Sequence, residues 1–204
     1  MIKAGTTQNY QGILLIGDPH LEGRVPGFRK DEYPRTILNK LDYALSTARE
    51  QGLLPLILGD LFHLPRNNPN WLVVEMMQLL SQVPEVAGIY GNHDLHENQL
   101  TDDDSISVLA HAGRITLLDH RRYLESEVQG SRVIIGGTPW GQWLPSELPQ
   151  ELAQRRPDLV LWLSHHDIIV PGYEEQGHVR PRALPGIDVV ANGHIHRHLQ
   201  EVRK

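Results

Sequence analysis

An α/β fold with helices covering a largely parallel sheet is what this sequence predicts. Three observations predict it. Short apolar runs rich in β-branched residues alternate along the chain with longer amphipathic ones. Strand–helix–strand order of this kind favours parallel pairing, because a crossover helix must return the chain to the same end of the sheet. Five of the strand-like runs also end in clusters of Asp, Asn and His, as ligand-binding open sheets do at the carboxyl ends of their strands.

In chain order, ILLIG (13–17) reads as the first buried strand. The segment YPRTILNKLDYALSTAREQG that follows has Ile37, Leu38, Leu41, Ala44, Leu45 and Ala48 at helical spacing. Pro34 near its start and Gly52 just past its end are the helix-bounding asymmetry. LPLILG (54–59) is the second strand, and a second helix is predicted over Pro69 to Ser81 from Leu72, Val73, Met76, Leu79 and Leu80. VAGIY (86–90) is a third strand, followed by a short helix over Ser105 to His111. From Arg114 to Gly137 the helical period disappears. Consecutive short strands ending in RVIIGG (132–137), with a hairpin through Gln129–Gly130, predict a second, mixed or antiparallel sheet. LVLWLS (159–164) and DVVAN (188–192) complete the strands. Segments 22–34 and 170–187 are rich in Gly or Pro and follow polar clusters, so they read as site-rim loops. Trp71, Trp140, Trp143 and Trp162 are expected in the core, although TPWGQWLP reads as a loop that could line the site.

The chain of 204 residues fits one domain over 1–204, without a capping domain. No apolar run approaches the roughly 20 residues that span a bilayer, and the N-terminus lacks the apolar core of a secretory signal. There is no cysteine, which excludes disulfides and thiolate metal sites and fits a reducing compartment. A soluble cytoplasmic domain with no membrane partner is the expectation. The net charge of −6 argues against binding nucleic acid through a broad basic surface. It still allows a nucleic-acid enzyme whose positive charge comes from bound cations.

The clusters carry the chemistry. They are Asp18-Pro19-His20, Asp60 with Leu61-Phe62-His63, Gly91-Asn92-His93-Asp94, His165-His166-Asp167 and Gly193-His194-Ile195-His196. Any one alone is most economically a turn, since Gly, Asn and Asp are ordinary turn residues. Five at successive strand ends are not explained that way. Carboxylate, imidazole and amide oxygen together suit manganese, iron, zinc, nickel or cobalt. Asp-x-His and His-x-His pairs point alternate residues the same way, so both can reach one centre. Seven such ligands exceed what one tetrahedral zinc requires and suit two metals bridged by a carboxylate, roughly 3.5–4 Å apart. In LSHHDI, His165 and His166 should face opposite ways, so only one of them is a ligand.

The ordered set GDPH, GDLFH, GNHD, HH and GHIH resembles the calcineurin-like metallophosphoesterase superfamily, over residues 13 to 198. The resemblance implies a four-layer α/β/β/α sandwich of two mixed sheets flanked by helices. It implies two divalent metal ions, with Asp18, His20 and His196 holding one, Asn92, His165 and His194 the other, and Asp60 bridging. It favours His165 over His166 as the ligand. His93 would be a non-ligand catalytic histidine that protonates the leaving oxygen, and Asp94 would orient it. Manganese is the metal expected by family analogy, with iron, nickel, zinc or cobalt as alternatives. The implied reaction is in-line phosphoester hydrolysis by a dinuclear-metal-activated hydroxide, with no covalent nucleophile. In keeping with that, the chain has neither a G-x-S-x-G elbow nor a G-x-x-x-x-G-K-[ST] loop.

GDLFH followed by LPRNNP, and the segment after DPHL, are similar to the DNA double-strand-break repair nuclease branch. A phosphodiesterase or nuclease acting on DNA or RNA is therefore the leading expectation. A phosphomonoesterase or small-nucleotide phosphodiesterase is the alternative, and a catalytically silent scaffold is the non-enzyme one. Arg24, Arg29 and Lys30 could contact a phosphate backbone, but Glu22, Asp31 and Glu32 favour an ordinary solvated loop. The chain ends eight residues after His196, so completeness of the second sheet is an open expectation.

Overall fold

In the computed structural model, which describes residues 2–4, 8–27, 29–170, 177–180, 182–196 and 200, every predicted strand and helix forms within two residues of its expected bounds. The chain order is β1 (Ile2–Ala4), β2 (Asn9–Tyr10), β3 (Gly12–Ile16), α1 (Tyr33–Gln51), β4 (Leu53–Leu58), α2 (Asn70–Leu80), β5 (Ala87–Ile89), α3 (Ser105–His111), β6 (Thr116–Leu117), β7 (Arg122–Val128), β8 (Ser131–Thr138), α4 (Gln150–Ala153), β9 (Leu159–Ser164) and β10 (Val189–Asn192). Strands β1, β2 and β6 and helix α4 were beyond sequence periodicity, because two to four residues carry no measurable period.

Strands β3-β4-β5-β6 form one wholly parallel sheet. The other has the order β1-β7-β8-β9-β10, with β2 also on β7, and its antiparallel character is confined to the β7–β8 pair. That pair is the expected hairpin. Gln129 (φ 50°) and Gly130 (φ 79°) both lie in the left-handed region, as a two-residue turn matching strand twist requires.

Period-two alternation distributes the strands' side chains between two interfaces. Leu54, Leu56 and Leu58 of β4 enter the layer between the sheets, while Ile57 faces the helices. Val133, Ile135, Leu161 and Leu163 meet them from the second sheet, while Ile134, Val160 and Trp162 face outward toward Leu152 of α4 and Leu148 just before it. Helices α1 and α2 bury Leu38, Leu41, Leu45, Leu72, Met76 and Leu80 on the first sheet. Gly52, in the left-handed conformation, ends α1 by donating its N–H back to Ala48 and Arg49. The result is the expected α/β/β/α sandwich, except that only the second sheet is mixed, and its last layer is one helical turn among the described residues.

Of the four tryptophans, only Trp162 is core, at 2% exposure, with its Nε1–H donated to Thr138 Oγ1 at 2.8 Å. Trp71 is 41% exposed beneath the Arg35 guanidinium, and Trp143 is 96% exposed. Arg29, offered as a phosphate contact, is paired with both carboxylate oxygens of Asp31 at 2.7 Å and lies over Tyr33, as the solvated-loop reading expects. The second rim loop falls partly outside the described residues. Among the described residues, no helix is long and apolar enough to cross a membrane.

Leu56 is fully buried between the sheets, so Leu56→Ala is expected to cost about 2–5 kcal/mol of unfolding free energy. Urea denaturation checks this; a loss below about 1 kcal/mol would mean that the layer is not packed as described.

Candidate metal centre

Asp18 and His20 follow β3, Asp60 follows β4, Asn92 and His93 follow β5, His165 follows β9, and His194 and His196 follow β10. All are carboxyl ends of parallel strands, so the two sheets present their loops to one crevice. Two donor groups form there, Asp18–His20–His196 and Asp60–His165–His194, each with ligand atoms within 4.8 Å of one another. Asn92 joins the second group, its Oδ1 lying 3.0 Å from His194 Nδ1 and 3.3 Å from His165 Nε2.

Asp60 sits between the groups. Its Oδ1 accepts the His93 backbone N–H at 2.8 Å. Its Oδ2 faces His20 Nε2 at 3.5 Å and His165 Nε2 at 3.3 Å. One oxygen is thus held by backbone while the other is shared between two imidazoles on opposite sides.

The glycines explain how side chains crowd so closely. A Cβ at Gly91 would lie 2.1 Å from Asp60 Oδ1, and one at Gly193 would lie 2.4 Å from the Leu58 carbonyl oxygen. At Gly17 a Cβ would meet nothing within 4 Å, so the first strand end needs no glycine. Backbone conformation tells the same story. Asp18, His20, Asp60 and His194 all have positive φ, between 45° and 71°, where non-glycine residues are uncommon. Such a conformation costs on the order of 1–3 kcal/mol per residue and persists only where the surroundings impose it.

The protonation chemistry fits a cation. The Leu58 carbonyl lies 2.7 Å from His165 Nδ1 and can only accept, so Nδ1 carries a proton and Nε2 points at Asp60. Burial pushes the His165 pKa down, but the hydrogen bond and charge of Asp60 outweigh it and leave it raised. Asp60 thus favours positive charge at Nε2, where a metal ion would bind. Burial lowers His20 to about 4 and also lowers His194, so both keep neutral, ligand-competent rings. Among the described residues His20 Nδ1 is buried without a partner, and His20 Nε2 lies 3.2 Å from His196 Nε2. Two ring nitrogens at that distance can share at most one proton, and a cation satisfies both. The donor set is one that divalent metal ions fit.

His166 is the partner of neither group. Its Nε2–H donates to the Gln142 carbonyl at 2.8 Å, and Ser164 Oγ lies 3.0 Å from Nδ1. The two neighbouring histidines face opposite ways, with His165 in the crevice.

Asp94 departs from its expected role of orienting His93. It is 1% exposed, and its carboxylate accepts the backbone N–H groups of Leu61, Phe62 and Gly91 at 3.0–3.3 Å. Burial pushes its pKa up to about 7. It therefore ties the loop bearing Asp60 to the loop bearing Asn92, acting as a positioning residue. What holds His93 is the His63 backbone carbonyl, 2.9 Å from Nδ1. The His63 ring stacks on His93 at 4.9 Å, and His20, His63 and His93 make a third cluster. Two further groups were not among the site residues named from the sequence, although TPWGQWLP was read as a loop that could line the site. Tyr33 donates its hydroxyl to the His20 carbonyl at 3.1 Å, and Trp140 lies 4.8 Å from the His194 ring. The only signal for Trp140 was its loop following a strand; Tyr33 reads as an ordinary helix-start residue.

Two outcomes follow. Gly91→Ala should weaken manganese binding by about 10–100-fold, as loss of a supporting shell does, while Gly17→Ala leaves it unchanged; calorimetric titration distinguishes them. Metal must also displace the His165 proton, whose pKa is raised, so affinity should fall as pH drops through that pKa. Titration in buffers of different ionisation enthalpy should register proton release below it; none would contradict the assignment.

A search of curated proteins found no matching sequence. The family model described as calcineurin-like phosphoesterase matches residues 12–198, a span that begins with β3 and includes every donor above. A match over nearly the whole chain establishes the family: this protein belongs to the calcineurin-like phosphoesterases, metal-dependent hydrolases of phosphoric esters.

Proposed function

We propose that this chain is a phosphodiesterase using two divalent ions, manganese by preference, with nucleic acid as its substrate class. Asp18, His20 and His196 would hold one ion and Asn92, His165 and His194 the other, with the Asp60 carboxylate available to both. The observation that carries the reading is the placement of Asp60 Oδ2 between His20 Nε2 and His165 Nε2. Bound divalent ions would supply positive charge to the phosphate oxygens and acidify a water molecule.

The chain's own residues do the rest. His93 donates Nδ1–H to the His63 carbonyl, and its imidazolium form carries the second proton, on Nε2, that passes to the leaving oxygen and leaves the ring neutral. The His63 ring stacked on it limits its rotation. Asp94 holds the Asp60 and Asn92 loops in register. Preference for a diester is supported by charge. Among the described residues, the cluster's carboxylates pair only with histidines and backbone N–H groups, with no Lys or Arg. A monoanionic diester needs less compensating charge than a dianionic monoester.

Bis(p-nitrophenyl) phosphate and the matching monoester, offered to metal-stripped protein with added manganese, test this. Metal-dependent diester turnover is expected, and His93→Ala should lower kcat by about 10²–10⁴-fold while metal binding persists. Turnover of the monoester alone would replace the diester reading with a phosphatase. A His93→Ala variant as active as the parent would remove His93 from the mechanism.

A further inference from the structure

The crevice has two unlike walls. His20, His63 and His93 line one side. On the other, Trp140 tilts over His194 with ring centroids 4.8 Å apart and approaches His165 edge-on at 6.4 Å. Trp140 opens the loop Trp140-Gly141-Gln142-Trp143 after β8, where Gly141 turns the chain at φ 80°.

This loop is fixed. The Trp140 N–H donates to the Tyr90 carbonyl at 3.2 Å, joining the ends of β8 and β5. Gln142 donates Nε2–H to the Tyr90 hydroxyl at 2.9 Å, and its Oε1 lies 3.0 Å from His120 Nδ1. Its carbonyl accepts from His166, the neighbour of a candidate ligand. A loop anchored this firmly nevertheless holds the Trp143 side chain 96% exposed, three residues from the ring that covers His194. Packing within the described residues gives no reason to keep a tryptophan there.

We propose that Trp140 and Trp143 form a stacking ledge for nucleobases, and that the substrate is a single-stranded nucleic acid whose bases lie on it as its phosphate enters the metal centre. This rests on the phosphodiesterase reading. Every base has a flat π-face, so aromatic platforms bind single strands without reading sequence. A duplex keeps its bases stacked on each other and cannot use such a ledge. Stacking on a π-face does not depend on charge, so it is open to a chain whose net charge is −6.

Fluorescence anisotropy of the full chain, carrying His93→Ala to prevent cleavage, tests the ledge. The probes are labelled oligothymidylate and an abasic oligomer of equal length and charge, with manganese present. Oligothymidylate is expected to bind roughly 5- to 150-fold more tightly than the abasic strand. Trp143→Ala should abolish most of that difference and Trp143→Phe restore it, with the melting temperature unchanged in both. Equal affinity for the two strands, or a Trp143→Ala variant that binds like its parent, would overturn the ledge. Base-dependent binding by a chain that hydrolyses no diester would leave the ledge standing and defeat the phosphodiesterase reading instead.

Discussion

One carboxylate oxygen, Asp60 Oδ2, constrains the rest of this molecule. It must lie within 3.5 Å of His20 from one strand end and of His165 from the other sheet. The backbone at Asp60 takes a left-handed conformation to put it there, and the His93 N–H fixes the companion oxygen. A buried carboxylate facing two imidazoles is costly unless charge compensates it. Burial alone would raise the Asp60 pKa, yet His165, the His93 N–H and His20 leave it lowered. Without a bound cation, that compensation would come from a proton on His165, whose pKa Asp60 raises. Because His165 is raised and Asp60 lowered, this pairing is present between the two pKa values. It is lost as pH rises past the first or falls past the second.

The architecture is what makes such a meeting possible. Parallel strands place all their carboxyl ends on one side, and stacking two sheets face to face brings two rows of those ends together. The packed layer of Leu54, Leu56, Ile89, Ile135 and Leu163 then sets how the rows meet. Stability accumulated in that layer offsets the strain of four left-handed residues at the site, the usual trade between core and function.

Much of this was legible in the sequence. Strand positions followed from runs such as LVLWLS, whose alternate residues pack on opposite faces, and the helix bounds from Pro34 and Gly52. The residues that the fold brings to the crevice were legible because each strand end carried its own short cluster. Geometry that depends on tertiary approach was not. Asp94 follows His93 directly and so suggests a pair, but only the fold reveals that its carboxylate turns to the Leu61, Phe62 and Gly91 amides. The opposite directions of His165 and His166 followed from strand alternation, yet their partners, Leu58 and Gln142, lie far away in sequence. Trp140 was ambiguous because a tryptophan in a loop carries no periodicity at all.

The sharing of Asp60 by two cations is tested most directly by electron paramagnetic resonance of the manganese-loaded chain, with bound metal counted on the same sample. Two ions bridged by one carboxylate should give an exchange-coupled spectrum at two manganese per chain, collapsing toward isolated-ion signals in Asp60→Ala. An isolated-ion spectrum from the parent at one manganese per chain would contradict it.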